Sequence, residues 1–128
     1  MKKIKNNYQN ILSIDATQYG QVIFELIKSH YQSRVGWKTQ SFRKVYEVLP
    51  QMSDKILEYL ALFLKVNKIT RLKPSKSEED LLTEIVLYKR TGAGFTGLRI
   101  VGAIAQALSL VWEVPLKIKQ KPQLTRAN

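Results

Sequence analysis

Few stretches of this chain combine residue types and spacing that could do chemistry. The densest is Thr91-Gly92-Ala93-Gly94-Phe95-Thr96-Gly97. A strand-like segment, Glu84 to Tyr88, precedes it, and an apolar helical segment follows. A glycine-rich turn opening a helix leaves backbone N–H groups free to hold an anion. Gly92, Gly94 and Gly97 read G-x-G-x-x-G, but no Gly-Lys-Ser/Thr follows, so this is not a P-loop. Spacing alone favours a simpler use: the glycines let the loop turn and let the helix lie close on a sheet. Asp15 closes a short apolar run and reads as a turn or cap residue rather than a magnesium ligand. His30 is the one histidine, and no cysteine exists to pair with it. Disulfides, thiol nucleophiles, cysteine metal sites and two-histidine mechanisms are thereby excluded. Glu78, Glu79 and Asp80 read as a solvated loop cluster. No catalytic, cofactor or metal set is expected.

Charge is the other prominent feature. The 128 residues carry a formal +11, which suits an acidic partner such as nucleic acid. The excess is uneven: residues 1–45 hold +6, residues 46–88 hold −1 and residues 89–128 hold +6. Lys2, Lys3 and Lys5 make a basic start. Lys117, Lys119, Lys121 and Arg126 make a basic finish and are the candidates for RNA contact. Solubility and edge protection explain such charges as readily. Tyr8, Tyr19, Tyr31, Trp37 and Tyr46 are interleaved with the lysines and arginines of the first third. That mixture suits stacking on single-stranded RNA, and it suits a core and strand surface equally well.

The elements that must position these residues follow from periodicity. Ile11 to Asp15 and Val22 to Ile27 are β-branched and apolar enough for two strands. Tyr31, Ser33, Val35 and Trp37 alternate with Gln32, Arg34 and Lys38, which predicts a third strand after a turn near Ser29 and His30. A helical block is predicted from about Phe42 to Val66; Pro50 inside it either kinks a helix or marks where the main helix begins, and Ser53 and Asp54 suit a helix start. Its apolar residues wrap past one stripe. Glu84 to Tyr88 gives a fourth strand, about Leu98 to Val111 a second helix, and Leu116 to Lys119 a fifth strand. The order β-β-β-α-β-α-β predicts an α/β domain on a mixed five-stranded sheet. Residues 10–119 form that domain, between a basic arm (1–9) and a basic tail (120–128). The run Ile11, Leu12, Ile14 is too short for a secretory signal. The longest uncharged stretch, Ile100 to Trp112, spans only about 20 Å as a helix, short of a bilayer. No membrane association and a cytoplasmic location are expected.

The longer string Gly94-Phe95-Thr96-Gly97-Leu98-Arg99-Ile100, followed by a small-residue helix and Pro115-Leu116, resembles the signature of the TsaB (YeaZ) family. Ile11-Leu12-Ser13-Ile14-Asp15-Ala16-Thr17 is similar to that family's opening strand, and Val48-Leu49-Pro50-Gln51-Met52 to part of its first helix. The resemblance covers residues 11 to about 118. It implies the first half of an actin/Hsp70/sugar-kinase-like fold, which is a single RNase H-like (actin-like ATPase half) domain. The chain departs from the family where Thr91-Gly92-Ala93-Gly94 replaces Gly-Pro-Gly-Ser and Lys44 replaces a histidine. The loop after Asp15 also lacks the glycine-threonine phosphate grip of active relatives.

The resemblance implies a non-catalytic scaffold that pairs with TsaD, a related catalytic subunit, and works with TsaE and TsaC. The assembly modifies the tRNA adenosine beside the anticodon to threonylcarbamoyladenosine. Pairing would use the two helices, with Ile56, Leu57, Leu60, Phe63, Leu64, Val101, Ile104, Ala105, Leu108 and Trp112 as the expected interface. Gly92, Gly94, Phe95, Thr96, Gly97 and Arg99 carry the signature. A homodimer is expected when the chain is alone. The alternative is a small basic RNA-binding module on the same half-domain. Nucleotide hydrolysis ranks last, because the cleft of that fold needs a second half.

Overall fold

The computed structural model describes residues 8–18, 20–69, 81–90 and 96–121. Its elements are β1 (Tyr8–Asp15), β2 (Gln21–Gln32), β3 (Gly36–Glu47), a 3-10 segment (Pro50–Lys55), α1 (Ile56–Val66), β4 (Glu84–Lys89), α2 (Thr96–Trp112) and β5 (Leu116–Gln120). The strands form one mixed sheet in the order β3-β2-β1-β4-β5. β1, β2 and β3 are a meander of antiparallel neighbours. β4 lies parallel to β1, and β5 lies parallel to β4. Helical crossovers join the parallel strands, as parallel pairing requires. This is the α/β domain on a mixed five-stranded sheet that the element order predicts.

The core lies between one sheet face and the two helices. Leu12, Ile14, Phe24, Leu26, Ile85 and Leu87 supply the sheet side. Ile56, Leu60, Phe63 and Leu64 meet them from α1, and Val101 and Ala105 from α2. The ring of Phe24 lies 5.6 Å from Phe63 and 5.8 Å from Tyr46, within the range of favourable tilted pairs. Among the described residues, no helix is long and apolar enough to cross a membrane.

Three expectations are corrected. Residues Phe42 to Glu47 are strand, not helix. They continue β3, because Phe42 pairs with Leu26, Lys44 with Phe24 and Tyr46 with Val22. Pro50 does not kink a helix; it opens the 3-10 segment that leads directly into α1, so the helix start expected near Pro50 holds. The hairpin turn falls at residues 33–35, not near Ser29 and His30, which lie within β2. It is closed by Val35 N–H donating to the Gln32 carbonyl at 3.1 Å, and Gly36 follows at φ +91°. That dihedral favours glycine, so the punctuation sits six residues later than expected. Finally, Tyr8 and Gln9 pair with His30 and Ser29 and belong to the sheet, not to a basic arm.

Both helices end the same way. Ile69 N–H donates to the Leu64 carbonyl, and Val114 N–H to the Ser109 carbonyl. These are the long bonds of Schellman-type ends. The residues preceding the donors, Lys68 and Glu113, take φ of 61° and 57°, where side chains other than glycine are strained. Lys68→Gly and Glu113→Gly are each expected to stabilise the chain by about 0.5–1 kcal/mol. The urea midpoint measures this, and a lowered midpoint for both would contradict the assignment.

Candidate functional site

Two places collect the residues singled out by the sequence. The first is the outer surface of the helix pair. α1 buries Ile56, Leu60, Phe63 and Leu64, which recur at the spacing of one helical face. Its remaining apolar residues must therefore point elsewhere, and Leu57 is 59% exposed. α2 buries Val101 and Ala105 and turns Val111, 72% exposed, to the outside. Leu57, Ala103, Ile104, Ala107, Leu108, Val111 and Trp112 line a groove of about 350 Å³. Every lining residue is apolar or, for Trp112, aromatic. The alanines keep the groove floor low and admit close approach by another helix.

This geometry divides the expected interface. Leu57, Ile104, Leu108 and Trp112 line the groove. Ile56, Leu60, Phe63, Leu64, Val101 and Ala105 are buried against the sheet and belong to this chain's own core. A side chain that fills its own core cannot also fill a partner's. Ala103, Ala107 and Val111 take their place in the groove. Period 3.6 alone carried that division, since residues 103, 107 and 111 share one face.

The second place is the end of the parallel strands. Asp15 ends β1 and is buried. Its Oδ1 accepts from the Thr17 backbone N–H at 2.9 Å and from the Thr17 hydroxyl at 2.6 Å. Its Oδ2 accepts from Lys121 Nζ at 2.7 Å. Burial pushes this carboxyl up, but the Lys121 bond, the two Thr17 bonds and the Lys121 charge together outweigh it. The net effect holds Asp15 below its ordinary value. Arg90, one residue past β4, donates to the Thr17 carbonyl at 3.1 Å. The ammonium of Lys121 also lies 5.2 Å from the Tyr88 ring centroid. Asp15 thus closes a turn, as its position predicted. Thr17 two residues on was the available signal for that turn. Nothing local announced a partner 106 positions away.

Lys121, one of the candidates for RNA contact, has its ammonium bonded to Asp15 inside the chain. Lys117 and Lys119 are exposed on β5, with Lys117 3.8 Å from Glu84. Arg99 is exposed on α2. Gly92, Gly94, Phe95 and Arg126 lie outside the described residues. Thr96 and Gly97 open α2. Among the described residues, no group of three acidic or histidine side chains is placed to hold a metal ion.

No known family model matches the chain, and no curated protein matches it in sequence. Among solved structures, it is similar to a Ppx/GppA family member from Aquifex aeolicus, at a TM-score of 0.42 and 9% identity. The match takes in 88% of this chain and 35% of that one, so the chain spans about a third of that protein's length. The fold class rests on strand order and pairing, not on this likeness.

Proposed function

We propose that the chain is a non-catalytic docking subunit. Its groove receives the helix pair of a related half-domain chain of the TsaD type. In that reading it serves the assembly, with a TsaE-like ATPase, that converts the adenosine next to the tRNA anticodon to threonylcarbamoyladenosine. The observation that carries the docking role is the apolar groove between α1 and α2, with Leu57 and Val111 more than half exposed beside it. Exposed apolar surface gathered in one concave strip is a partner site more often than a solvated surface. The resemblance in residues 94–100 supplies the identity of the partner. The non-catalytic part draws support from Asp15, whose two carboxylate oxygens are taken up by Thr17 and Lys121.

Co-expression with a TsaD-like chain followed by size-exclusion chromatography tests the reading. A single co-eluting complex is expected. Val111→Asp and Leu57→Asp should weaken it at least about 30-fold, the scale of a lost interface anchor. Their circular dichroism spectra should stay unchanged. Without the partner, sedimentation should show a homodimer that the same substitutions dissociate. Separate elution of the two wild-type chains overturns the pairing.

A further inference from the structure

We infer a second binding surface, for single-stranded nucleic acid, on the sheet face that carries Tyr8, His30 and Lys38, where the sheet extends past its apolar core. Pairing places Tyr8 opposite His30 and Asn10 opposite Lys28, and on the other side His30 opposite Lys38 and Lys28 opposite Gln40. Alternation puts these six residues on one face, the same face that buries Leu12 and Leu26 two residues further along. Together they line a pocket of about 460 Å³.

Carboxylates are confined to one face of this meander, where Arg43 accompanies them opposite Glu25. Lys28, Lys38 and Lys44 share the pocket's face with His30. The carboxylates of the three strands, Asp15, Glu25 and Glu47, alternate onto the opposite face, where Glu25 accepts a hydrogen bond from Ser41. No carboxylate lines the pocket. Solvation alone does not require such confinement, whereas a polyanion does.

Flat rings accompany the cations. Tyr8 and His30 stack at 4.4 Å with planes 7° apart. Along β3 the same face continues through Phe42, Lys44 and Tyr46, with Lys44 Nζ 5.6 Å from the Tyr46 ring centroid. Phe42, Arg43, Lys44 and Tyr46 line one wall of a second hollow of about 360 Å³, whose other wall is the end of α1, and the Tyr46 ring is stacked on Tyr59 at 4.5 Å. Lys38 to Lys44 is six residues, or about 20 Å of strand. A track of that length, with an ammonium group at each end and the exposed Phe42 ring between them, matches a chain that alternates phosphates with bases. Duplexes hide their bases in the stack, so the rings favour a single strand. The occupant is thus a polyanion with flat groups, RNA or DNA, and neither phosphate alone nor a duplex supplies both halves.

Fluorescence anisotropy with a labelled unstructured RNA 12-mer tests this on the full chain. Lys28→Ala/Lys38→Ala should bind at least about tenfold more weakly at low salt, and its salt slope should fall by about 1.4, two single-strand phosphate contacts. Phe42→Ala should weaken binding with the salt slope unchanged, because it removes stacking and not charge. Lys55→Ala/Lys89→Ala removes the same charge elsewhere and should stay within about twofold of wild type. A DNA 12-mer of the same sequence binding within about tenfold of the RNA supports the class. Equal losses in the two double variants would mean attraction by net charge only and would overturn the site. A duplex binding as tightly as the single strand would overturn it as well, as would no binding at low salt.

Discussion

Leu60→Asp is expected to abolish the thermal unfolding transition, leaving a chain with the circular dichroism of an unfolded protein at 25 °C. Leu60 is 2% exposed and faces the sheet. Removing its side chain costs about 3–5 kcal/mol in a well-packed core. Placing a carboxylate there adds a desolvation cost of several kcal/mol more. The sum reaches the whole stability of a typical domain, about 5–15 kcal/mol. Leu57→Asp, three residues earlier on the same helix, should melt within a few degrees of wild type, since its side chain already meets water. On sequence alone both leucines belong to one interface. A Leu60→Asp chain with a wild-type melting curve would contradict the inward face assigned to α1.

Asp15→Ala is expected to lower the melting temperature by about 10 °C at pH 7, a loss of about 2–3 kcal/mol. The lower part of the range for a broken buried pair applies, because Lys121 is 38% exposed and regains water. The effect has a definite pH dependence. Asp15 sits below its ordinary value of 3.8 in the folded chain, so folding favours the ionised form. Its contribution is complete well above that value and is lost as pH falls through the folded pKa. The gap between wild type and Asp15→Ala should therefore be constant from pH 5 to 8 and shrink below about pH 4. A gap that widens on acidification would refute the Lys121 and Thr17 bonding described above. Lys121→Met should reproduce much of the loss, since it removes the same bond.

Much of the fold was legible because its central elements have one period each. β1 and β4 carry apolar runs of strand length, and α2 is a mostly apolar helix with a proline three residues past its end. β3 was legible only in part. Its helix-side face alternates Phe42, Lys44 and Tyr46, and its other face alternates Ser41, Arg43 and Val45. Each face mixes charge with apolar groups, so no period of two survives in the sequence. The strand forms because β2 supplies a full register of partners, which is a tertiary cause. The groove was half legible for a related reason. α1 is apolar nearly all round, and only the sheet decides which leucines turn inward. The Lys121 partnership required knowing that the last strand ends at the same end of the sheet as the first, with only β4 between them.

The parallel pairing of β1 with β4 also sets an order in time. β2 covers one edge of β1 almost as soon as both exist. The other edge, Ile11 to Asp15, finds its partners only in Glu84 to Tyr88. During synthesis at about 5–20 residues per second, that edge waits roughly 4–15 s with unpaired backbone groups beside Leu12 and Ile14. The most buried strand of the finished molecule is thus the most adhesive strand of the nascent one. Truncations that stop before Glu84 make that exposure permanent, and they convert a protected centre into an open template for another chain.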